Sequence, residues 1–152
     1  MTVLAPLRHA GHLARRFATS LSRRPPPATD VAWAHTHLLA AEADLWDRMS
    51  VQDRRHSLLV ARRFVALAPG AQRPQVAAAL LHDVGKSVSG LGTFARVVAT
   101  VVGPRTARFR DYHDHERLGA EMLHAVGSAA DTVELVQGRG PAAKALRQAD
   151  DV

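Results

Sequence analysis

Two histidines and two carboxylates in this sequence have the types and the surroundings of a metal site. They are His56, the adjacent pair His82 and Asp83 in LLHDVGK, and Asp150 in LRQADD. Three of the four positions fall on apolar helix faces or near the end of a buried helix, where an uncompensated polar group costs free energy. Imidazole and carboxylate ligands together suit borderline and hard first-row cations. The pattern therefore predicts one divalent cation held by all four side chains.

Helical spacing indicates which way His56 and Asp150 face. His56 shares an inward stripe with Leu59, Val60 and Phe64. Asp150 follows Leu146 by one turn on an apolar face, whereas Asp151 falls on the face of Arg147. Asp150 is therefore predicted to be the inward carboxylate, and Asp151 is expected to pair with Arg147 in solvent.

His82 and Asp83 are expected at the end of a buried helix. Consecutive side chains lie about 100° apart on a helix, so the two converge on one ion only where the helix ends. Gly85 allows a left-handed turn that would end it there. Lys86 follows at once, and its ammonium group is a flexible point charge that can reach a phosphate beside the metal.

Taken singly, these residues also have structural explanations. His56 fits a hydrogen-bonded core histidine, Asp150 a surface acid and Lys86 a solvated loop residue. An adjacent His-Asp pair inside an apolar helix, with one histidine upstream and one aspartate far downstream, favours the metal site.

The composition is that of a globular protein. The chain has 152 residues, of which 47% are hydrophobic and 22% charged, enough for one domain with a sizeable core. No apolar run approaches the roughly 20 residues that cross a bilayer. Cysteine is absent, which excludes disulfides and thiolate metal sites and is compatible with a reducing compartment. We expect a cytoplasmic protein.

The chain is strongly basic, with a net charge of +6 and a pI near 11.1. Such a charge suits nucleic acid, an anionic membrane surface or a phosphorylated ligand. No helix-turn-helix, zinc-finger or aromatic RNA-binding signature accompanies it, so nucleic-acid binding is not favoured.

Residues 1–27 form the most separable segment. They contain no acidic residue, carry apolar residues at near-helical spacing between arginines, and end in three prolines. This predicts a basic amphipathic helix and a linker, ahead of a helical domain over residues 28–152. The helix either contacts a membrane surface or a partner, or packs on the domain with its arginines in water.

The remaining sequence predicts an all-α fold. Helices are expected from about Asp30 to Met49, Asp53 to the Pro69-Gly70 turn, Pro74 to Gly85, Leu91 to Val101, Asp114 to Val126, Ala130 to Gln137 and Ala142 to Asp151. Residues 76–81 are apolar all round, which predicts a helix buried in a bundle. No run alternates apolar and polar residues, so no strand is expected.

The tetrad and its surroundings resemble the HD-domain superfamily of metal-dependent phosphohydrolases. The signature of that superfamily is a histidine, a His-Asp pair and a distant aspartate on an α-helical core. The matching pieces here are RRHSLLVARRF, AALLHDVGK, HERLGAEML and ALRQADD. The resemblance covers roughly residues 50–151 and implies an HD-like helical bundle.

The resemblance also implies a role for each matching residue. One divalent cation would be held by His56, His82, Asp83 and Asp150, and manganese, iron, cobalt, nickel, magnesium and zinc all stay open as its identity. The cation would activate a water and polarise the phosphorus centre. Asp83 would orient that water, and Lys86 or His115 would stabilise charge on the phosphate.

Two departures from the family pattern bear on the site. Members with two metals carry further histidines, one in the segment that matches HERLGAEML and others at the end of the next helix. His115 fits the first place, but residues 137–140 read QGRG at the second, so we predict a mononuclear site. His115, His113 and Arg55 then become candidate substrate contacts, with a core-facing structural role as the alternative for His115. The GYP tripeptide of members that cleave cyclic dinucleotides is absent.

The leading hypothesis is a phosphohydrolase that cleaves a phosphomonoester or a nucleotide phosphate. The alternative is a catalytically silent HD module that binds a ligand or a partner, because fold does not establish activity. A nucleic-acid-binding protein comes third and would be distinguished by strong salt dependence without metal dependence. The sequence leaves the substrate and the oligomeric state open.

Overall fold

The structure, a computed structural model, describes the backbone of residues 24–87 and 107–151 and the side chains of residues 24–86 and 114–151. The predicted basic helix within residues 1–27 and the helix predicted from Leu91 to Val101 lie outside the described residues, apart from the linker at 24–27. Within the described ranges the regular structure is entirely helical. The all-α prediction is confirmed.

Eight helices follow one another in the described ranges: α1 Ala28–His37, α2 Ala40–Asp47, α3 Val51–Leu67, α4 Arg73–Leu81, α5 Val84–Ser87, α6 Ala107–Ala125, α7 Ala130–Val136 and α8 Ala143–Asp150. Helix α4 packs against α1, α2, α3 and α7, while α3 also packs against α8 and α6 packs against α5 and α7. Among these helices, none combines the length and the apolar character that a bilayer crossing requires.

Helix α4 lies at the centre of the packing, as its sequence predicts. Every residue in the range Val76–Leu81 is at most 3% exposed. The large side chains of Trp46, Phe64 and Leu123, from α2, α3 and α6, are fully buried in the same core. A helix that is apolar all round gains most from burial on every side, so the end of α4 is fixed in the interior.

The prediction of a single helix from Asp30 to Met49 is wrong, because this segment forms two helices, α1 and α2. Leu38 adopts extended backbone, with φ −109° and ψ 140°. The fully buried carboxylate of Glu42 explains the break: its Oε2 accepts from the Leu39 main-chain N–H at 2.8 Å and from Arg73 Nη1 at 3.2 Å. A buried charge is costly unless it is paired, so the start of α2 is tied to the start of α4.

The predicted bounds of two further helices also differ from the structure. Helix α4 ends at Leu81 instead of Gly85, and a turn at residues 82–83 separates it from the short α5. Helix α6 begins at Ala107, about two turns before the predicted start at Asp114.

The prediction of a left-handed turn at Gly85 is wrong. Among the described glycines, positive φ angles occur at Gly127, Gly138 and Gly140. Gly85 is needed for close approach instead, because a Cβ built there would lie 2.2 Å from the main-chain oxygen of His115 and 2.9 Å from the main-chain nitrogen of Gly119. The missing side chain lets α5 lie directly against α6.

We expect Gly85→Ala to push α5 away from α6 and to lower the free energy of unfolding by about 3 kcal/mol, the upper scale of overpacking effects. Urea denaturation measures the change. Gly70→Ala is the matched control, since a Cβ at Gly70 meets no atom within 4 Å and its φ is not positive. Equal stability of the Gly85→Ala and Gly70→Ala variants would contradict the close approach.

Candidate metal centre

Three segments that are distant in sequence meet at the end of α4. Helix α3 carries His56, the turn between α4 and α5 carries His82 and Asp83, and α8 carries Asp150. One ligand atom from each of the first three residues lies within 4.8 Å of the others. Asp150 Oδ1 lies 2.9 Å from His56 Nε2 and 3.5 Å from His82 Nε2. The structure thus brings all four predicted residues together.

Helix α3 brings His56 to the cluster from the edge of its buried face. That face consists of Ser57, Leu58, Val60, Ala61 and Phe64. Leu59 is 46% exposed, so its prediction as an inward neighbour of His56 is wrong. Helical rotation of about 100° per residue explains the exposure of Leu59. His56 borders the buried stripe, whereas Leu59 lies on the opposite side of the helix. The side chain of His56 is accordingly partly exposed at the boundary.

His82 is held in the tautomer that a metal ligand needs. Its Nδ1 lies 2.9 Å from the main-chain oxygen of Ala79, which only accepts, so Nδ1 donates and neutral His82 keeps its lone pair on Nε2. Among the described residues, Nε2 is buried with no hydrogen-bond partner. Asp83 Oδ2 and Asp150 Oδ1 each lie 3.5 Å from it. A buried nitrogen facing two carboxylates fits a cation between them.

The two carboxylates also perturb the acid–base behaviour of the cluster. Burial lowers the pKa of His82, but the contact with Asp150 and the charge of Asp83 outweigh burial, and the pKa of His82 is raised above 6.5. The hydrogen bond with His56 and the 3.5 Å contact with His82 hold the pKa of Asp150 well below its usual range. The cluster therefore attracts positive charge, whether it comes as protons or as a metal ion.

Lys86 places a positive charge on the other side of Asp83. Its Nζ lies 2.8 Å from Asp83 Oδ1, while the second carboxylate oxygen faces His82. The ammonium group is nearly half exposed, whereas the carboxylate is mostly buried. Asp83 therefore lies between the histidine cluster and the ammonium group of Lys86 at the surface.

An open cleft lies beside the cluster in the part of the chain that the structure describes. Its lining includes His82, Asp83 and Asp150, with Leu135, Val136 and Leu146 on the apolar side. Four further polar side chains line the same cleft: Lys86, His115, Glu116 and Arg147. Three of the four candidate metal ligands thus line an open cleft, whereas His56 is not in its lining.

Besides Lys86, three residues are predicted to contact substrate, and they have different positions. His115 lines the cleft, and its Nδ1 is buried without a hydrogen-bond partner in the described part of the chain. The side chain of His113 lies outside the described residues. Arg55 donates to the main-chain oxygen of Arg24 at 3.2 Å and is not in the cleft lining. A substrate contact by Arg55 stays a prediction without support from its position.

Sequence reasoning missed Glu116 and Arg147 as cleft residues. The expected pairing of Arg147 with Asp151 is not found among the described residues, and Arg147 Nη1 instead donates to the main-chain oxygen of Gly138 at 3.3 Å. The available signal was the spacing of Arg147 three residues before Asp150 on one helix. Glu116 had a weaker signal, its adjacency to His115.

Comparison with known families gives the class of protein. The family described as HD domain matches residues 54–148, so the chain belongs to this family. The match begins just before His56, includes His82 and Asp83, and ends shortly before Asp150. HD domains form a superfamily of metal-dependent phosphohydrolases, and the His/Asp cluster here can hold a metal ion. Comparisons with curated proteins and with solved structures yield no match.

The raised pKa of His82 predicts the pH dependence of stability in the metal-free protein. The folded state binds this proton more tightly than the unfolded chain, so the stabilisation is fully present below pH 6.5 and is lost as the pH rises through the folded-state pKa. In EDTA we expect the free energy of unfolding to fall as the pH rises above 6.5. Urea denaturation measures it, and His82→Gln should flatten the slope. An unchanged slope in that variant would contradict the assignment.

Proposed function

We propose that the protein is a phosphohydrolase that cleaves a phosphomonoester or a nucleotide phosphate, with one divalent cation bound by His56, His82, Asp83 and Asp150. The observation that carries the proposal is the buried Nε2 of His82, which has no hydrogen-bond partner among the described residues and faces two carboxylate oxygens at 3.5 Å. An imidazole nitrogen in this position has lost its hydrogen bonds to water, and no group among the described residues replaces them. A coordinated cation would satisfy the nitrogen and neutralise the carboxylates together.

The residues around the cluster suit phosphate chemistry. A divalent ion bound there would lower the pKa of a coordinated water and polarise the phosphorus centre. Asp83 stands between Lys86 and His82, where its carboxylate can orient the attacking water. Lys86 lines the cleft at the edge of the cluster, where its ammonium group can stabilise charge on a phosphate oxygen. His115 lines the same cleft and can donate to another phosphate oxygen.

We propose one cation instead of two. The tight group of potential ligands found in the described part of the chain consists of His56, His82 and Asp83, and Asp150 contacts both of its histidines. His115 lies outside this group, although it lines the cleft. Residues 137–140 contribute no histidine. The described residues thus offer no second group of ligands for another cation.

One observation favours the alternative of a silent HD module. His56 Nε2 and Asp150 Oδ1 are 2.9 Å apart, so the two groups satisfy each other when His56 Nε2 carries a proton. A cation must displace that proton before it gains both ligands. If no available metal displaces the proton between His56 and Asp150, the cleft binds a ligand or a partner and does not catalyse hydrolysis.

Asp150→Asn tests the proposal against a neighbouring control. We expect the full-length protein to release phosphate from p-nitrophenyl phosphate or nucleoside monophosphates when a divalent metal is added. Loss of a group that only orients a metal ligand typically lowers metal affinity or activity 10–100-fold. Asp150→Asn alters a proposed ligand itself, so it should lower kcat/KM by about 100-fold or more. Asp151→Asn should stay near wild type, because that carboxylate is exposed.

Two results would contradict the proposed function. The first is equal activity of the Asp150→Asn and Asp151→Asn variants. The second is the absence of phosphate release by the wild type with manganese, iron, cobalt, nickel, magnesium and zinc alike, which would leave the silent module.

A further inference from the structure

We infer that the cleft binds a second anionic group at Arg147, so that the preferred substrates are phosphate esters that carry another anion, such as a carboxylate or a second phosphate. This inference rests on the proposed function for the place of the first phosphate, beside His82, Asp83 and Lys86. It adds a second position within the same cleft and a substrate class that the metal cluster alone does not specify.

Arg147 stands one helical turn before Asp150 on α8. Side chains three residues apart face the same side of a helix, with their Cβ atoms about 5–6 Å apart. Both residues line the cleft. Arg147 therefore belongs to the wall of the same cleft as the candidate metal centre, without being part of the cluster.

The guanidinium of Arg147 has donors to spare. Its described polar contact is the one from Nη1 to the main-chain oxygen of Gly138 at 3.3 Å, which is long for a hydrogen bond. A guanidinium carries five N–H donors, and this neutral partner supplies no counter-charge to the exposed Arg147 side chain. Three other arginines of the described part pair with carboxylates, Arg62 with Asp30, Arg73 with Glu42 and Arg117 with Glu121, whereas Arg55 and Arg139 bond to neutral oxygens as Arg147 does.

The remaining charges of the cleft restrict where a second anion can bind. Lys86 is paired with Asp83, so its charge is shared between the metal centre and the first phosphate. Glu116 lines the cleft from α6, and its carboxylate repels anions from the part of the cleft that it borders. Arg147 is the side chain in this lining that combines a full positive charge with no carboxylate partner among the described residues.

Arginine is well suited to this task, because its planar fork binds carboxylate or phosphate through two parallel hydrogen bonds. The contact with Gly138 holds the side chain at the turn between α7 and α8 and leaves part of the fork available. A hydrogen bond to a charged group contributes enough to change affinity by about tenfold or more. Arg147 is a specificity-determining residue in this scheme, with no part in the bond cleavage.

Two matched probes that a phosphohydrolase does not cleave isolate the second anion. Both 3-phosphonopropionate and propylphosphonate carry a phosphonate, and they differ in a terminal carboxylate against a methyl group. We expect the metal-loaded full-length protein to bind 3-phosphonopropionate about tenfold more tightly in ³¹P NMR titrations. Arg147→Gln should abolish that preference while leaving propylphosphonate affinity unchanged. Arg139→Gln is the control, because Arg139 is an exposed arginine of the same turn outside the cleft lining.

The outcomes separate this inference from the proposed function. Equal affinity of the wild type for the two probes, or no binding of either, would overturn the second anion position without any variant. Retention of the preference in Arg147→Gln would overturn the role of Arg147. Because neither probe is hydrolysed, a protein that shows the preference yet releases no phosphate from esters would retain the second anion position at Arg147 and lose the proposed function.

Discussion

The hydrogen bond from His82 Nδ1 to the main-chain oxygen of Ala79 is the constraint on which the site depends. It is local to the end of α4, and α4 is fixed in position because its apolar surface is buried on every side. The bond assigns the proton to Nδ1 and turns the lone pair of Nε2 toward Asp83 and Asp150. A histidine free to rotate would gain water on Nε2, and a cation would then have to displace that water and order the ring.

The other elements are arranged around that fixed imidazole. Helix α3 brings His56 to it from the edge of a buried stripe, and the packing of α8 against α3 brings Asp150 within hydrogen-bond distance of His56. On the opposite side, Gly85 allows α5 to lie against α6, which positions His115 in the lining of the cleft. Core packing, a missing side chain and one main-chain hydrogen bond together determine the chemistry that the cluster can support.

Local patterns in the sequence were sufficient for the helical class, the buried helix α4 and the four clustered residues, because helical periodicity reports directly which face of a helix is apolar. Features that depend on distant contacts were not predictable in this way. The break at Leu38 follows from the burial of Glu42 against Arg73. Arg147 was expected to pair within its own helix, but the main-chain oxygen of Gly138, from the turn after α7, is its partner. In each case the partner lies beyond the helix whose pattern was used.

The central claim is that this cluster binds a single divalent cation, and the metal content of gently purified full-length protein tests it most directly. Elemental mass spectrometry should find about one divalent metal ion per chain in the wild type, consistent with the mixed nitrogen and oxygen ligands. His82→Ala and Asp83→Ala should each lose the metal while their circular dichroism spectra remain helical. Two metal ions per chain would contradict the mononuclear site. No metal in the wild type, even after reconstitution, would contradict the metal centre itself.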